Sequence, residues 1–253
     1  MHLSNYSLYL RKLFRIISPA ILITSFLPTQ LLAQPFPIKI SLKFPSGDPR
    51  GTPETTVGGG KRGVSCITLE KGKPSLTALM PKRDNKSLTV SGTPEFYFYV
   101  PKTQATKEEF VLGEFILKKG EEDIYKQTFT LPTQPGIVKL QLPVTSSLKI
   151  GSTYTWYFLI ICDPEDRSGD QYTVGTIEKI VISPSLQEAL QQATPVKRTE
   201  IYAHNDLWPE TVSNMVKLRT NQPNEWKELL ESVGLEMIAE EPLLQCCQAN
   251  PNP

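Results

Sequence analysis

The stretch CDPEDRSGD, from Cys162 to Asp170, gathers acids, an arginine, a serine and a glycine within nine positions. Asp163, Glu165, Asp166 and Asp170 could offer oxygens to a hard cation such as Ca²⁺, or a pair of them could do acid/base work. An EF-hand loop needs Asp or Asn at its third and fifth positions, which here hold Glu165 and Arg167. A turn explains the same residues more simply. Asp-Pro opens it, Asp and Ser side chains bond the local backbone, Gly169 supplies conformational freedom, and Arg167 pairs with a carboxylate. Asp163, Glu165, Asp166, Arg167 and Asp170 are therefore binding candidates, with no residue assigned to catalysis.

Other chemistry is sparse. His204 is the only histidine after the first few residues, and its place in YAHND fits a helix end, where the dipole favours a cation. With the adjacent Cys246 and Cys247 it makes an incomplete zinc set, because adjacent cysteines lack chelate spacing. VGGGKRG, 57–63, suggests a phosphate loop. Thr55 stands where the first glycine is required and Arg62 where Ser or Thr should follow the lysine, so it reads as a linker. No metal or cofactor is expected.

The N-terminus has the form of a signal peptide over 1–33. Arg11, Lys12 and Arg15 precede a short apolar run, and Ala33 offers a cleavage position. Removing that leader leaves 24 basic and 26 acidic residues, without the concentrated positive charge that nucleic acid requires. The run is too short and too broken by Pro19 and Pro28 to span a bilayer comfortably. A hydrophobic fraction of 39% and a charged fraction of 21% exclude wholesale disorder.

Export makes disulfides the expected fate of cysteines. The Cα atoms of Cys246 and Cys247 lie about 3.8 Å apart across one peptide, below the usual disulfide range. The favoured pairing is Cys66 with Cys162, leaving the vicinal pair as free thiols or an intermolecular link. Four unpaired cysteines is the alternative.

These groups need elements to hold them. Residues 35–45 alternate apolar and polar, as a half-buried strand does, and 46–63 form a Gly/Pro-rich loop. Strand patterns then recur at 65–69, 76–80, 87–90, 95–100, 110–117, 124–130, 137–142, 154–162 and 172–182, with a hairpin centred on Gly120. Phe96, Phe98 and Val100 give one strand a core face. Tyr97 and Tyr99 on the other face suit packing by helices or a ligand patch. Leu148, Gly151 and Tyr154, followed by Trp156, have the spacing of the tyrosine corner of immunoglobulin-like and fibronectin III-like sandwiches. Cys162, eight residues after Tyr154, departs from the antibody pattern.

After residue 183 the period becomes helical. Ser185 and Glu188 suggest a capping box, Thr194-Pro195 a second start, Asp206 a cap for a third helix, and Pro223 and Gly234 the ends of a fourth. The expected fold is mainly β with a helical tail: an immunoglobulin-like antiparallel β-sandwich over 65–183, then a helical module over 184–245. Residues 34–64 precede the sandwich and 246–253 trail the helices.

TPEFYFYVP, CDPEDRS, RGVSC, SLTALMP and the tail from 186 to 230 together resemble domain-of-unknown-function family 928, a group from cyanobacteria. The resemblance covers most of the chain after about residue 62. It implies an exported bacterial protein with a sandwich and a helical tail, and brings no activity. Cys66 and Cys162 match positions where the family tends to have cysteine, which adds to that pairing. The expectation is an exported, non-catalytic module that binds another envelope protein or a glycan. The alternatives are a hydrolase or carbohydrate-active enzyme using Asp163, Glu165 and Asp166, and a chaperone-like assembly subunit.

Overall fold

The alternation at Glu95–Val100 gives one strand two buried faces, and the fold is arranged to cover both. The computed structural model describes residues 42–44, 65–81, 86–104 and 110–247, all within one unit, 40–253. The expected leader, the loop 46–63 and its VGGGKRG segment lie outside the described residues.

The strands are β1 (Ile67–Thr68), β2 (Thr77–Ala78), β3 (Lys86–Thr89), β4 (Glu95–Val100), β5 (Lys102–Thr103), β6 (Leu112–Lys119), β7 (Glu122–Thr130), β8 (Gly136–Gln141), β9 (Thr153–Ile161), β10 (Gln171–Lys179) and β11 (Leu243–Leu244). One sheet has the order β3-β10-β9-β6-β7, a second β11-β8-β4-β2, and β1 pairs with β5. Pairing is antiparallel except for β3 with β10 and β11 with β8. The hairpin between β6 and β7 turns at Gly120, whose φ of +59° is cheap only for glycine.

Aromatic rings join the two larger sheets. Phe98 stacks on Phe158 at 4.1 Å and meets the edge of Trp156 at 5.6 Å, while Phe96 lies 5.0 Å from Phe115. Trp156 and Phe158 are inward residues of β9, set by its alternation. Each such pair adds about 0.5–1.5 kcal/mol beyond the area it buries. Ahead of β9, the Tyr154 hydroxyl accepts from the Lys149 amide at 3.0 Å, Gly151 takes φ +71°, and Leu148 is buried. The crossover into β9 is pinned by these three residues.

Four helices follow: α1 (Pro184–Gln192), α2 (Pro195–His204), α3 (Trp208–Leu218) and α4 (Pro223–Ser232). Two expected caps are corrected. Ser183, not Ser185, caps α1, its hydroxyl accepting from the Leu186 amide at 3.2 Å, because Pro184 occupies the first helical position. Asp206 sits at φ +60° one residue too early to cap α3, which starts after Leu207 without a side-chain cap. Thr194 caps α2 as expected, and Gly234, at φ +73°, follows α4.

Of the helices, α3 packs against β3 and β4, and α2 and α4 pack on α3. Trp208 donates its indole N–H to the Leu79 carbonyl at 2.6 Å, and Phe44 meets its ring edge-on at 4.9 Å. Of the expected strand at 35–45, only Leu42 to Phe44 are described. Leu42 and Phe44 are buried and Lys43 exposed, so the alternation holds. Those three residues lie outside any sheet, and Phe44 donates its amide to the Ser232 hydroxyl at 3.1 Å.

Two disulfides are present. Cys66 is bonded to Cys162, with Cα atoms 5.1 Å apart and a sequence separation of 96. Cys246 is bonded to Cys247, which overturns the expectation of free thiols or an intermolecular link. Cys247 takes φ +66°, a left-handed conformation that non-glycine residues adopt at a cost, and this accompanies the joining of neighbours only 3.7 Å apart at Cα. After α4 the chain returns as β11 along β8. There Gly136 is required, since a Cβ would lie 2.6 Å from Leu244 Cδ1 and 2.8 Å from the Pro242 carbonyl oxygen.

Candidate functional site

The acidic loop closes on itself. Asp163 Oδ1 accepts from the Glu165 amide and Asp166 Oδ1 from the Ser168 amide, each at 3.0 Å, forming local turns. Arg167 reaches Asp170 Oδ2 at 2.5 Å and Glu114 Oε1 at 3.1 Å. Glu114, an almost fully buried residue of β6, takes Lys126 on its other oxygen at 2.8 Å. Burial pulls the Glu114 carboxyl upward, but its bonds to Lys126 and Arg167 hold it below the usual carboxylate range. Asp170 goes the other way: burial raises it by more than Arg167 lowers it. No cavity described below is lined by Asp163, Glu165, Asp166, Arg167 or Asp170.

His204 closes α2 and its Nδ1 lies 2.8 Å from the Glu200 carbonyl, so that nitrogen is a donor. Among the described residues no cluster of three or more His, Cys, Asp or Glu is placed to hold a metal ion. No helix among them is long and apolar enough to cross a membrane.

The concave polar surface lies where α3 crosses the outer side of β4 and β8. Lys139 and Gln141 point away from the aromatic layer because β8 alternates, and Tyr97 and Glu95 sit opposite them in register. A cavity of about 270 Å³ is lined by Glu95 and Gln141 of the sheet and by Tyr202, Glu210, Ser213 and Asn214 of the helices. A second, of about 650 Å³, runs under the C-terminal tail past Tyr97, Tyr125, Gln127 and Lys139. Gln141 and Lys217 border both, so the two cavities are neighbours along α3, a groove in two parts.

Glu210 and Glu95 are the groove's carboxylates, and their surroundings push them apart. Glu210 Oε1 accepts from the Thr89 hydroxyl at 2.5 Å, the Val90 amide at 2.9 Å and the Ser91 amide at 3.1 Å, tying α3 to the end of β3. Burial nevertheless raises its carboxyl above the usual range, by more than these bonds lower it. For Glu95, burial is outweighed by hydrogen bonds from Tyr97 and Ser213 and by Lys139, which together hold it low. The Tyr97 hydroxyl, bonded to Glu95 at 2.7 Å, is pushed far above the tyrosine range by burial and by that carboxylate, so it stays a donor.

Glu210 Oε2 and Asn214 Nδ2 are buried with no hydrogen-bond partner among the described residues. Both atoms belong to residues that line the smaller cavity, so hydrogen-bonding capacity is left unspent beside it. Sequence reasoning missed this groove, since its residues come from six separated elements, β4, β7, β8, β11, α2 and α3. Its one legible signal was the second aromatic face at Tyr97 and Tyr99, and Tyr97 both packs beneath α3 and lines the groove.

No curated protein and no solved structure matches the chain. A family model described as Domain of Unknown Function (DUF928) matches residues 57–243, and with most of its length so matched the chain belongs to that family.

Proposed function

We propose that the protein is an exported, non-catalytic binding module of the cell envelope, built on an immunoglobulin-like β-sandwich, and that its binding surface is the groove beneath α3. The observation that carries this reading is the pair of adjoining cavities beneath α3, with buried Glu210 Oε2 and Asn214 Nδ2 unpartnered on residues that line the smaller one. Export is supported by the leader pattern at 1–33 and by two disulfides, which persist outside reducing compartments. The sandwich is supported by the aromatic layer between the two larger sheets and by the Tyr154 corner. Its ligand is an envelope protein or a glycan. The acidic loop serves as a turn, because Asp163 and Asp166 are engaged by backbone amides and Asp170 Oδ2 by Arg167.

Retention of the purified protein on washed envelope fragments tests the reading. The wild type should be retained, and Asn214→Trp, which fills the smaller cavity, should be released while its circular dichroism and Tm hold. Equal retention of both proteins would remove the groove from consideration.

A further inference from the structure

The larger cavity has a wall of unusual chemistry. The tail is fixed there: Pro242 accepts from the Ile137 amide at 2.7 Å, and Leu244 fills the space left by Gly136. Gln127 donates to the Cys247 carbonyl at 3.3 Å and accepts from the Tyr125 hydroxyl. The Cys246–Cys247 cystine is therefore held as a rigid, polarizable and partly exposed surface beside the half-buried ring of Tyr125. Around it stand the amides of Gln127, Gln141 and Gln245 and the ammonium groups of Lys139 and Lys217, and among the described residues no carboxylate lines this cavity. Lys139 is paired with Glu95 at 3.0 Å, whereas Lys217 is exposed and has no ion-pair partner among the described residues.

Resting on the reading of the groove as the ligand site, we propose that this cavity binds a short acidic oligosaccharide. The apolar C–H face of a sugar ring would lie on the cystine and Tyr125. Vicinal hydroxyls would pair with side-chain amides, which offer donor and acceptor together, and a uronate carboxylate would meet Lys217. A volume of about 650 Å³ suits such a ligand. Pairing with β8 is closed to an extended peptide, since β4 and β11 take both its edges; β7 and β11 are outermost in their sheets, and a tri-glutamate probe tests a peptide there.

Titration calorimetry and amide-resolved NMR with tri-galacturonate, maltotriose and tri-glutamate decide the matter. Tri-galacturonate should bind, shifting the side-chain amides of Gln127 and Gln141. Lys217→Gln, on an exposed helix face, should weaken it about tenfold without loss of fold. Cys246→Ser with Cys247→Ser should weaken it several-fold. Maltotriose binding as tightly, tri-glutamate shifting the same amides equally, or no sugar binding at all would each overturn the proposal. If Asn214→Trp still abolishes envelope retention when the sugars fail, the groove stands and only the ligand class falls; if retention is also unaffected, both fall.

Discussion

Two sets of acidic residues in this chain face different surroundings. At 163–170 the acids lie close in sequence and are mostly engaged locally: Asp163 and Asp166 cap turns, Asp170 Oδ2 and the buried Glu114 bracket Arg167, and Asp170 Oδ1 is buried without a hydrogen bond among the described residues. At the α3 groove, Glu95 and Glu210 stand 115 positions apart in sequence, yet line one cavity, and one Glu210 oxygen is left open. Crowding of acids along the chain produced a turn whose one buried unpartnered oxygen, on Asp170, belongs to a residue that lines neither cavity. Convergence of separated polar groups around a cavity produced a surface with unspent hydrogen-bonding capacity. If this contrast is right, damage to the loop lowers stability and leaves binding alone, and damage to the groove does the reverse.

The largest effect should come from the loop's covalent anchor. Cys162 ends the strand that enters the loop, and its bond to Cys66 closes 96 residues of sequence separation. Replacing both with serine should cost about 2–5 kcal/mol, seen as a lower midpoint in urea. A midpoint unchanged from wild type would show that the anchor adds nothing. Next is Glu114→Gln, which leaves Arg167 and Lys126 without their shared carboxylate. Those two cations are 43% and 52% exposed at the side chain, so the cost should be about 1–2 kcal/mol, short of the 3–5 typical of a fully buried pair. Because ion pairing lowers the Glu114 pKa, its contribution is present above the ordinary carboxylate range and is lost as pH falls through the folded value. The stability difference between wild type and Glu114→Gln should therefore shrink on acidification, and a difference constant with pH would contradict the ion-pair role.

Asp166→Ala should cost about 0.5–1 kcal/mol, the worth of one local side-chain cap to the Ser168 amide, with groove binding unchanged. Envelope retention lost in this variant at full stability would move the binding surface back to the loop.

The pattern of the fold was legible wherever side-chain alternation is dictated by burial. The strand at Glu95–Val100 was read to the residue, and the neighbouring strands to within a few residues, because their inward positions are large apolar groups. The two-residue strands at Lys102–Thr103 and Leu243–Leu244 carry no period, and only tertiary pairing creates them. The S-x-x-E spacing of Ser185 and Glu188 is that of a capping box. The proline one position earlier starts the helix sooner, and that physical cue outranks the motif. For the site, the limit was of another kind. Glu210 reads in sequence as one acid in a helix, and nothing local reveals that it meets the amides of Val90 and Ser91 about 120 positions away. The vicinal cystine was misjudged because Cα spacing was weighed alone, while the backbone adjusts through a left-handed Cys247.

The smallest change at neutral pH should be Glu210→Gln, and its pH dependence is the sharper test of the groove. Glutamine keeps an oxygen for Thr89, Val90 and Ser91 and removes a charge that burial disfavours. Since the folded pKa of Glu210 is raised, the folded state holds its proton more tightly than the unfolded chain. Its contribution is full below the ordinary glutamate value and is lost as pH rises through the folded value. Relative to wild type, Glu210→Gln should thus be least stable in acid and gain as pH rises, ending level or slightly ahead at neutral pH. The same comparison cancels the opposite trend from Glu95 and Glu114, which both proteins share. Parallel pH profiles for the two proteins would mean that Glu210 is solvated like a surface carboxylate, and the open oxygen in the groove would then be no more available to a ligand than those of the loop.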